Sequence, residues 1–208
     1  RSAVGQVYVY VAWEQYDRIN LDNADARRMV YFARSLDKGS NWTIIGDGAS
    51  ELYDPDENCA SGTRDVFNIS VAADAEGRVV VVWEDMCVSG DQVNHYVRSK
   101  YSEDFGSTWS STATVNSAGD NAAEPVMSGD SDGRFVVVWQ DARGDSSSIF
   151  ADCLDFSTPS PDWSATDLRL DGDGGRSEKV AVAAKNGMAV VTWQDDRNGN
   201  WDIYAYSL

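Results

Sequence analysis

Positive charge is what this chain has least of. It has 17 Lys plus Arg, only four of them lysine (Lys38, Lys100, Lys179, Lys185), against 34 Asp plus Glu, giving a formal net charge of −17. Nucleic acid is excluded as a partner on that ground, because phosphate backbones are held by basic surfaces, and anionic membrane is disfavoured for the same reason. No apolar run approaches the roughly 20 residues that cross a bilayer; the longest, such as Val79 to Trp83 and Phe135 to Trp139, are strand-sized, so membrane insertion is not expected. The start, Arg1-Ser2-Ala3, lacks the apolar core of a signal peptide. With His95 the one histidine, a Ser-His-Asp triad or a zinc site lacks material, and no G-x-S-x-G elbow, P-loop or dinucleotide fingerprint occurs. His95 reads as an ordinary polar residue at the start of a strand. Three cysteines cannot make a disulfide scaffold. Either Cys59 pairs with Cys87, or Cys59, Cys87 and Cys153 are all free thiols.

What the chain does have is 42% hydrophobic and 11% aromatic residues, ample for a packed core. It also has a repeat. An apolar run ending in Trp-Glu or Trp-Gln recurs as Val11-Ala12-Trp13-Glu14, Val81-Val82-Trp83-Glu84-Asp85, Val137-Val138-Trp139-Gln140-Asp141 and Val191-Thr192-Trp193-Gln194-Asp195. A second series, Trp42, Trp109 and Trp163, falls between. Each of the last three runs is preceded by an apolar segment and a turn (Ala75-Glu76-Gly77, Ser131-Asp132-Gly133, Lys185-Asn186-Gly187), the signature of a hairpin. A third alternating run follows each Trp-Glu/Gln, and a fourth follows each second-series tryptophan. Units of about 50 residues with four antiparallel strands and no helical period are blades of a β-propeller; a β-sandwich would not need the repeat.

The fold class is therefore all-β, a β-propeller of four-stranded antiparallel blades over residues 1–208. About four blades are represented (approximately 1–46, 66–115, 124–169 and 178–208), with a long connection over 46–65. The register gives three, four, four and three strands, so the terminal blades are incomplete. The expectation is a portion of a larger propeller, or one chain of an assembled one able to self-associate through those blades; the rival is a closed ring completed by irregular segments.

Ser35-Leu36-Asp37-Lys38-Gly39-Ser40-Asn41-Trp42 and Ser102-Glu103-Asp104-Phe105-Gly106-Ser107-Thr108-Trp109 both fit S-x-D-x-G-x-x-W. This resembles the Asp-box (BNR) repeat of sialidase-like, bacterial secreted propellers. The motif suits a turn: Asp accepts amide hydrogen bonds, Gly takes an unusual backbone angle, and Trp buries a ring. Ser35, Asp37, Gly39, Trp42 and Ser102, Asp104, Gly106, Trp109 are thus structural. The third copy, Phe156 to Trp163, retains only its tryptophan. The resemblance implies that these turns lie opposite the ligand face, which the other connections line.

On that implied face the candidate ligand-binding residues are Tyr53, Asp54, Glu57 and Arg64 in the long connection, with Asp141 and Arg143, and Asp195 and Arg197, in two matching loops. Arginine can grip a substrate carboxylate bidentately; but recurrence in successive blades argues for an Asp-Arg pair that braces each loop. Asp171-Gly172-Asp173-Gly174 has the carboxylates and glycines of a calcium loop without the full EF-hand pattern, making Asp171 and Asp173 the candidate metal ligands, whereas Asp130-Ser131-Asp132-Gly133 is a hairpin turn. No cofactor other than calcium is suggested. A sialidase-like hydrolase would need clustered arginines, a Tyr-carboxylate nucleophile and an acid/base; no motif marks them, and the Arg-Ile-Pro-like tripeptide of sialidases is absent. The reading is a non-catalytic binding or scaffold module, secreted or at the cell surface, for a glycan or an extracellular protein. The alternative is a sialidase-like glycoside hydrolase domain or a fragment of one.

Overall fold

Apolar runs such as Val79 to Trp83, β-branched on both faces, can be satisfied only by a strand covered on both sides, and that requirement organises the chain. The computed structural model describes residues 7–16, 27–45, 51–53, 63–118, 121–144, 146–172 and 174–208, and among them every regular element is a β-strand. The first sheet holds β1 (Val9–Tyr16), β2 (Arg28–Ser35) and β3 (Thr43–Ile45); the second holds β4 (Arg64–Ala73), β5 (Val79–Ser89), β6 (Gln92–Ser102) and β7 (Ala113–Thr114). The third holds β8 (Ala122–Gly129), β9 (Arg134–Asp141), β10 (Ser148–Asp155) and β11 (Leu168–Arg169); the fourth holds β12 (Ser177–Lys185), β13 (Met188–Asp195) and β14 (Asp202–Ser207). Neighbours within each sheet are sequential and antiparallel. The strand counts of three, four, four and three match the sequence register, and the fold is that of a β-propeller. The three expected hairpins close at Gly77, Gly133 and Gly187, whose φ angles of 94°, 81° and 76° suit glycine.

Because side chains alternate across a strand, each sheet shows one residue set to the sheet before it and the other to the sheet after it. Three apolar clusters result, one at each junction. Val30, Phe32, Leu52 and Tyr53 of the first sheet meet Val79, Val81 and Trp83 of the second. Val80, Val82 and Val97 meet Phe135, Val137 and Trp139, and Val136, Val138 and Ile149 meet Ala189, Val191 and Trp193. Trp83, Trp139 and Trp193 thus each face the preceding sheet.

The S-x-D-x-G-x-x-W turns join β2 to β3 and β6 to β7. Ser35 Oγ donates to Asp37 (2.7 Å) and accepts from the Gly39 amide (2.8 Å), while Asp37 accepts the Asn41 amide (2.8 Å). Ser102, Asp104, Gly106 and Thr108 repeat the pattern at 2.8, 2.9 and 2.7 Å. Two details depart from the sequence reading. Trp42 is 43% exposed, since among the described residues no sheet precedes the first, whereas Trp163 is 8% exposed. The third turn keeps a carboxylate as well as its tryptophan: Asp155, one residue ahead of the expected copy, accepts the Ser157 amide at 2.8 Å.

The long connection also differs from expectation. Leu52 and Tyr53 rejoin β2, the Leu52 amide donating to the Val30 carbonyl at 2.8 Å and the Val30 amide to the Tyr53 carbonyl at 3.0 Å. Cys87 is disulfide-bonded and Cys153 is free, so the all-free alternative fails. The expected partner of Cys87, Cys59, lies outside the described residues.

Candidate functional site

At the sheet ends away from the S-x-D-x-G-x-x-W turns, the aspartate two places after each of three tryptophans is buried: Asp85, Asp141 and Asp195 are 2%, 1% and 1% exposed. Each meets an arginine. Arg143 Nη2 lies 2.5 Å from Asp141 and Arg197 Nη2 2.5 Å from Asp195, and both arginine amides also donate to their aspartate at 2.8 Å. In the second sheet β5 runs on to Ser89 in place of that tight loop, and Arg98 reaches Asp85 from the neighbouring strand at 3.1 Å. Each guanidinium lies over a ring: Arg98 on Tyr96 (4.8 Å), Arg143 on Phe150 (4.0 Å) and Arg197 on Tyr204 (4.2 Å). A further polar group completes each pair. Tyr53 donates its hydroxyl to Asp85 at 2.9 Å, Asp167 approaches Arg143 at 2.6 Å, and Ser177 Oγ lies 2.8 Å from Asp195 and 2.7 Å from Asp171.

These pairings set the protonation states. Asp195 is held far below the ordinary carboxylate range, first by the Arg197 hydrogen bond. Burial works against the charge of Arg143, but Asp141 and Asp167 outweigh it and raise its pKa. The guanidiniums are therefore committed to protein carboxylates.

A second set of polar groups surrounds the axis, where β4, β8 and β12 run side by side. Each has a bulge, between Phe67 and Ser70, Ala123 and Val126, and Glu178 and Ala181. In each, a residue other than glycine has positive φ: Asn68 (52°), Glu124 (51°) and Lys179 (55°). Asn tolerates this conformation; Glu and Lys adopt it at a cost of about 1 kcal/mol or more. The bulges open a polar cleft lined by Asn68, Ser70, Glu124 and Lys179. The residue after each tryptophan braces its sheet's bulge region: Glu84 accepts from Asn68 Nδ2 at 2.8 Å, Gln140 Nε2 donates to Glu124, and Gln194 Nε2 donates to Glu178 at 3.4 Å.

Glu84 is the exception to this repetition. It is 5% exposed, and it also accepts the Glu124 amide at 3.0 Å and lies 2.6 Å from His95 Nδ1. Burial pushes its pKa up, but His95, the Glu124 amide and Asn68 outweigh burial, so the net shift is downward. His95 is thus the partner of a buried carboxylate rather than an ordinary strand residue.

The residues singled out in the sequence do not converge. Tyr53 is 0% exposed and turned inward on Trp83. Arg64 opens β4 opposite Cys87, and Asp54 and Glu57 lie outside the described residues. Asp171 has one oxygen 2.8 Å from Arg169 Nε and the other taken by Ser177; Asp173 lies outside the described residues, and among those described no group of three or more Asp, Glu, His or Cys could hold a metal ion. Asp130 accepts amide hydrogens from Ser131, Asn186 and Gly187, as a turn brace does. Sequence reasoning missed Arg28, which grips Asp65 of the next sheet through Nε (3.1 Å) and Nη2 (2.9 Å) and lies 4.1 Å over the Phe67 ring. It also missed the cleft, although the recurrent Glu or Gln after tryptophan was a visible signal for it.

Among solved structures the chain is similar to the Hadza microbial sialidase Hz136 (TM-score 0.59, 15% identity, covering 95% of this chain and 42% of that one). It is also similar to Trypanosoma rangeli sialidase in complex with sialic acid (0.54, 12%, 99% and 34%) and to Penicillium chrysogenum α-L-arabinanase complexed with arabinobiose (0.52, 14%, 94% and 59%). The chain therefore spans between about a third and three-fifths of the length of these structures. At such identities the likeness is one of fold, which hosts many chemistries. No protein-family model and no curated protein matches the sequence. Among the described residues, no helix is long and apolar enough to cross a membrane.

Proposed function

We propose that this chain is a non-catalytic, glycan-binding β-propeller module of the Asp-box type that works outside the cell, with the axial cleft at Asn68, Glu124 and Lys179 as its ligand seat. The observation that carries the reading is that where a tyrosine hydroxyl bonds a carboxylate paired with an arginine, the phenol and the carboxylate are sealed from solvent. Tyr53, Asp85 and Arg98 are in contact, but Tyr53 is 0% and Asp85 2% exposed, so the phenol cannot reach a sugar. Arg143 and Arg197, the arginines weighed as grips for an anion, are neutralised by Asp141 and Asp195. Polar, partly exposed groups around a propeller axis suit hydroxyl-rich ligands, which are recognised by convergent hydrogen bonds. The fold shared with a sialidase and an arabinanase supports a carbohydrate as the ligand class. Asp54, Glu57 and Arg64 are the further candidates for contact.

Titration calorimetry with sialyllactose and with arabino-oligosaccharides tests the reading. Binding that is lost in Lys179→Ala and unaltered in Met188→Ala is expected. Turnover of a fluorogenic sialoside or arabinoside that disappears in Glu84→Gln would instead establish the hydrolase alternative.

A further inference from the structure

The axial cleft opened by the bulges of β4, β8 and β12 measures about 390 Å³, within the roughly 300–1,000 Å³ of small-molecule seats. Its polar lining is Asn68, Ser70, Glu124 and Lys179. Of these only Lys179 carries a positive charge, and its ammonium lies 3.5 Å from Glu124 Oε2. The two side chains are 66% and 45% exposed, so both are presented to a ligand.

The basic groups around the bulges are matched in the same way. His95 Nδ1 lies 2.6 Å from Glu84, Arg176 is paired with Glu178, and Arg28 with Asp65. An acidic sugar could therefore reach a cation here only by displacing a carboxylate of this chain. Glu124 is held against such displacement. Gln140 Nε2 donates to its carboxylate, Glu84 accepts its amide hydrogen at 3.0 Å, and its backbone keeps a φ of 51°. A carboxylate fixed in this way stays in the cleft and repels a second one, and a partly buried setting screens that repulsion less than open water does. Hydroxyl groups meet no such penalty. Glu124 can accept their hydrogens, as can the side-chain oxygen of Asn68, whose amide nitrogen is turned to Glu84 at 2.8 Å, while Ser70 and Lys179 can donate to their oxygens.

We propose that the axial seat takes an uncharged glycan and that Glu124 is the residue that turns acidic sugars away. The inference rests on the cleft being the glycan seat and narrows that reading to one ligand class. Specificity of this kind comes from a repulsive element set among attractive ones.

The test is an array of oligosaccharides printed as matched pairs, galactotriose beside trigalacturonate and lactose beside sialyllactose, with the bound whole chain detected through a terminal tag at neutral pH. At low salt the neutral member should bind about tenfold or more tightly than its acidic partner. In about 1 M salt, where charges are screened beyond about 3 Å, that ratio should shrink severalfold. Glu124→Gln, which keeps the shape and removes the charge, should bring the ratio below about threefold, whatever it does to the affinity for the neutral sugar. If that variant does not fold, the salt dependence decides. Acidic members bound equally or better, a ratio indifferent to salt, or a ratio unchanged in folded Glu124→Gln would each overturn the inference while leaving the glycan-binding reading in place. Binding to no glycan on the array would overturn both.

Discussion

Val97 and Ile149 pair with the residue that follows the tryptophan of their sheets, and both are 0% exposed; Ile203 holds the same place in the fourth sheet and is 78% exposed. At the other end, Val81 and Val137 are 0% exposed and their counterpart Val11 is 42% exposed. The strand pattern is the same throughout; what differs is whether a neighbouring sheet is present on that side. Among the described residues the hydrophobic core is accordingly a property of junctions, three of them among four sheets, and a sheet's own alternation only prepares two faces for use.

The largest test of that contrast is deletion of the repeated tryptophan at an inner and at an outer position. Trp139 is 0% exposed and fills the junction of the second and third sheets. Replacing it by alanine should cost about 3–5 kcal/mol in urea unfolding. Trp13 is only half-buried and rests on Tyr31 of its own sheet, with centroids 5.8 Å apart. Its replacement should cost about 1 kcal/mol. Equal costs would show that burial within a sheet matters as much as burial between sheets. Next in size is Asp141→Ala. It removes the buried partner of Arg143, whose side chain is 22% exposed, and should destabilise by about 3 kcal/mol, because an ion left without its partner keeps its desolvation penalty. A cost under about 1 kcal/mol would show that Asp167 alone holds the guanidinium.

Much of this architecture was legible in the chain. The spacing of Trp13, Trp83, Trp139 and Trp193, with Gly77, Gly133 and Gly187 before the last three, yields the sheets and their strand counts because a strand's face and a hairpin's turn are local choices. The pairing of Asp141 with Arg143 and of Asp195 with Arg197 was equally local, the partners being two residues apart. What stayed hidden depends on distant contacts. Arg98 reaches Asp85 from another strand, Tyr53 is separated from it by 32 residues, and Arg28 by 37 residues from Asp65. The bulges at Asn68, Glu124 and Lys179 share no residue type, so only the axial packing of β4, β8 and β12 reveals them. Asp155 was obscured because Pro159 and Pro161 lengthen its turn and shift the tryptophan away from the motif spacing.

A smaller effect separates the two intact turns. Trp109 contacts Phe32 of the preceding sheet, whereas Trp42 is 43% exposed and donates its indole N–H to the Gly39 carbonyl of its own turn at 3.1 Å. Trp109→Ala should lower stability by about 2 kcal/mol and Trp42→Ala by under about 1 kcal/mol. A reversed order, measured by the same unfolding, would mean that the turn itself, and not the junction, is what the motif tryptophan serves.

The smallest effect is a dependence on pH that distinguishes turn from axis. Asp37 is held down at about 2, first by the Asn41 side chain and then by the Asn41 amide and Ser35, and Glu84 is also held below its ordinary value. A carboxyl with its folded pKa depressed contributes stability that is fully present above its unfolded value, near 4, and is lost as pH falls through the folded value. Unfolding midpoints should therefore decline as pH drops from about 5 toward 2, and part of the decline should vanish in Asp37→Asn, which cannot be protonated. The Glu84→Gln variant should flatten a different part of the same curve, because the proton that Glu84 takes up breaks its contacts with Asn68, the Glu124 amide and His95 at the axis rather than those of an exposed turn. If both variants flatten the curve identically, and the double variant no further than either, the turn and the axis titrate as one unit and the separation between the two ends of the sheets does not hold.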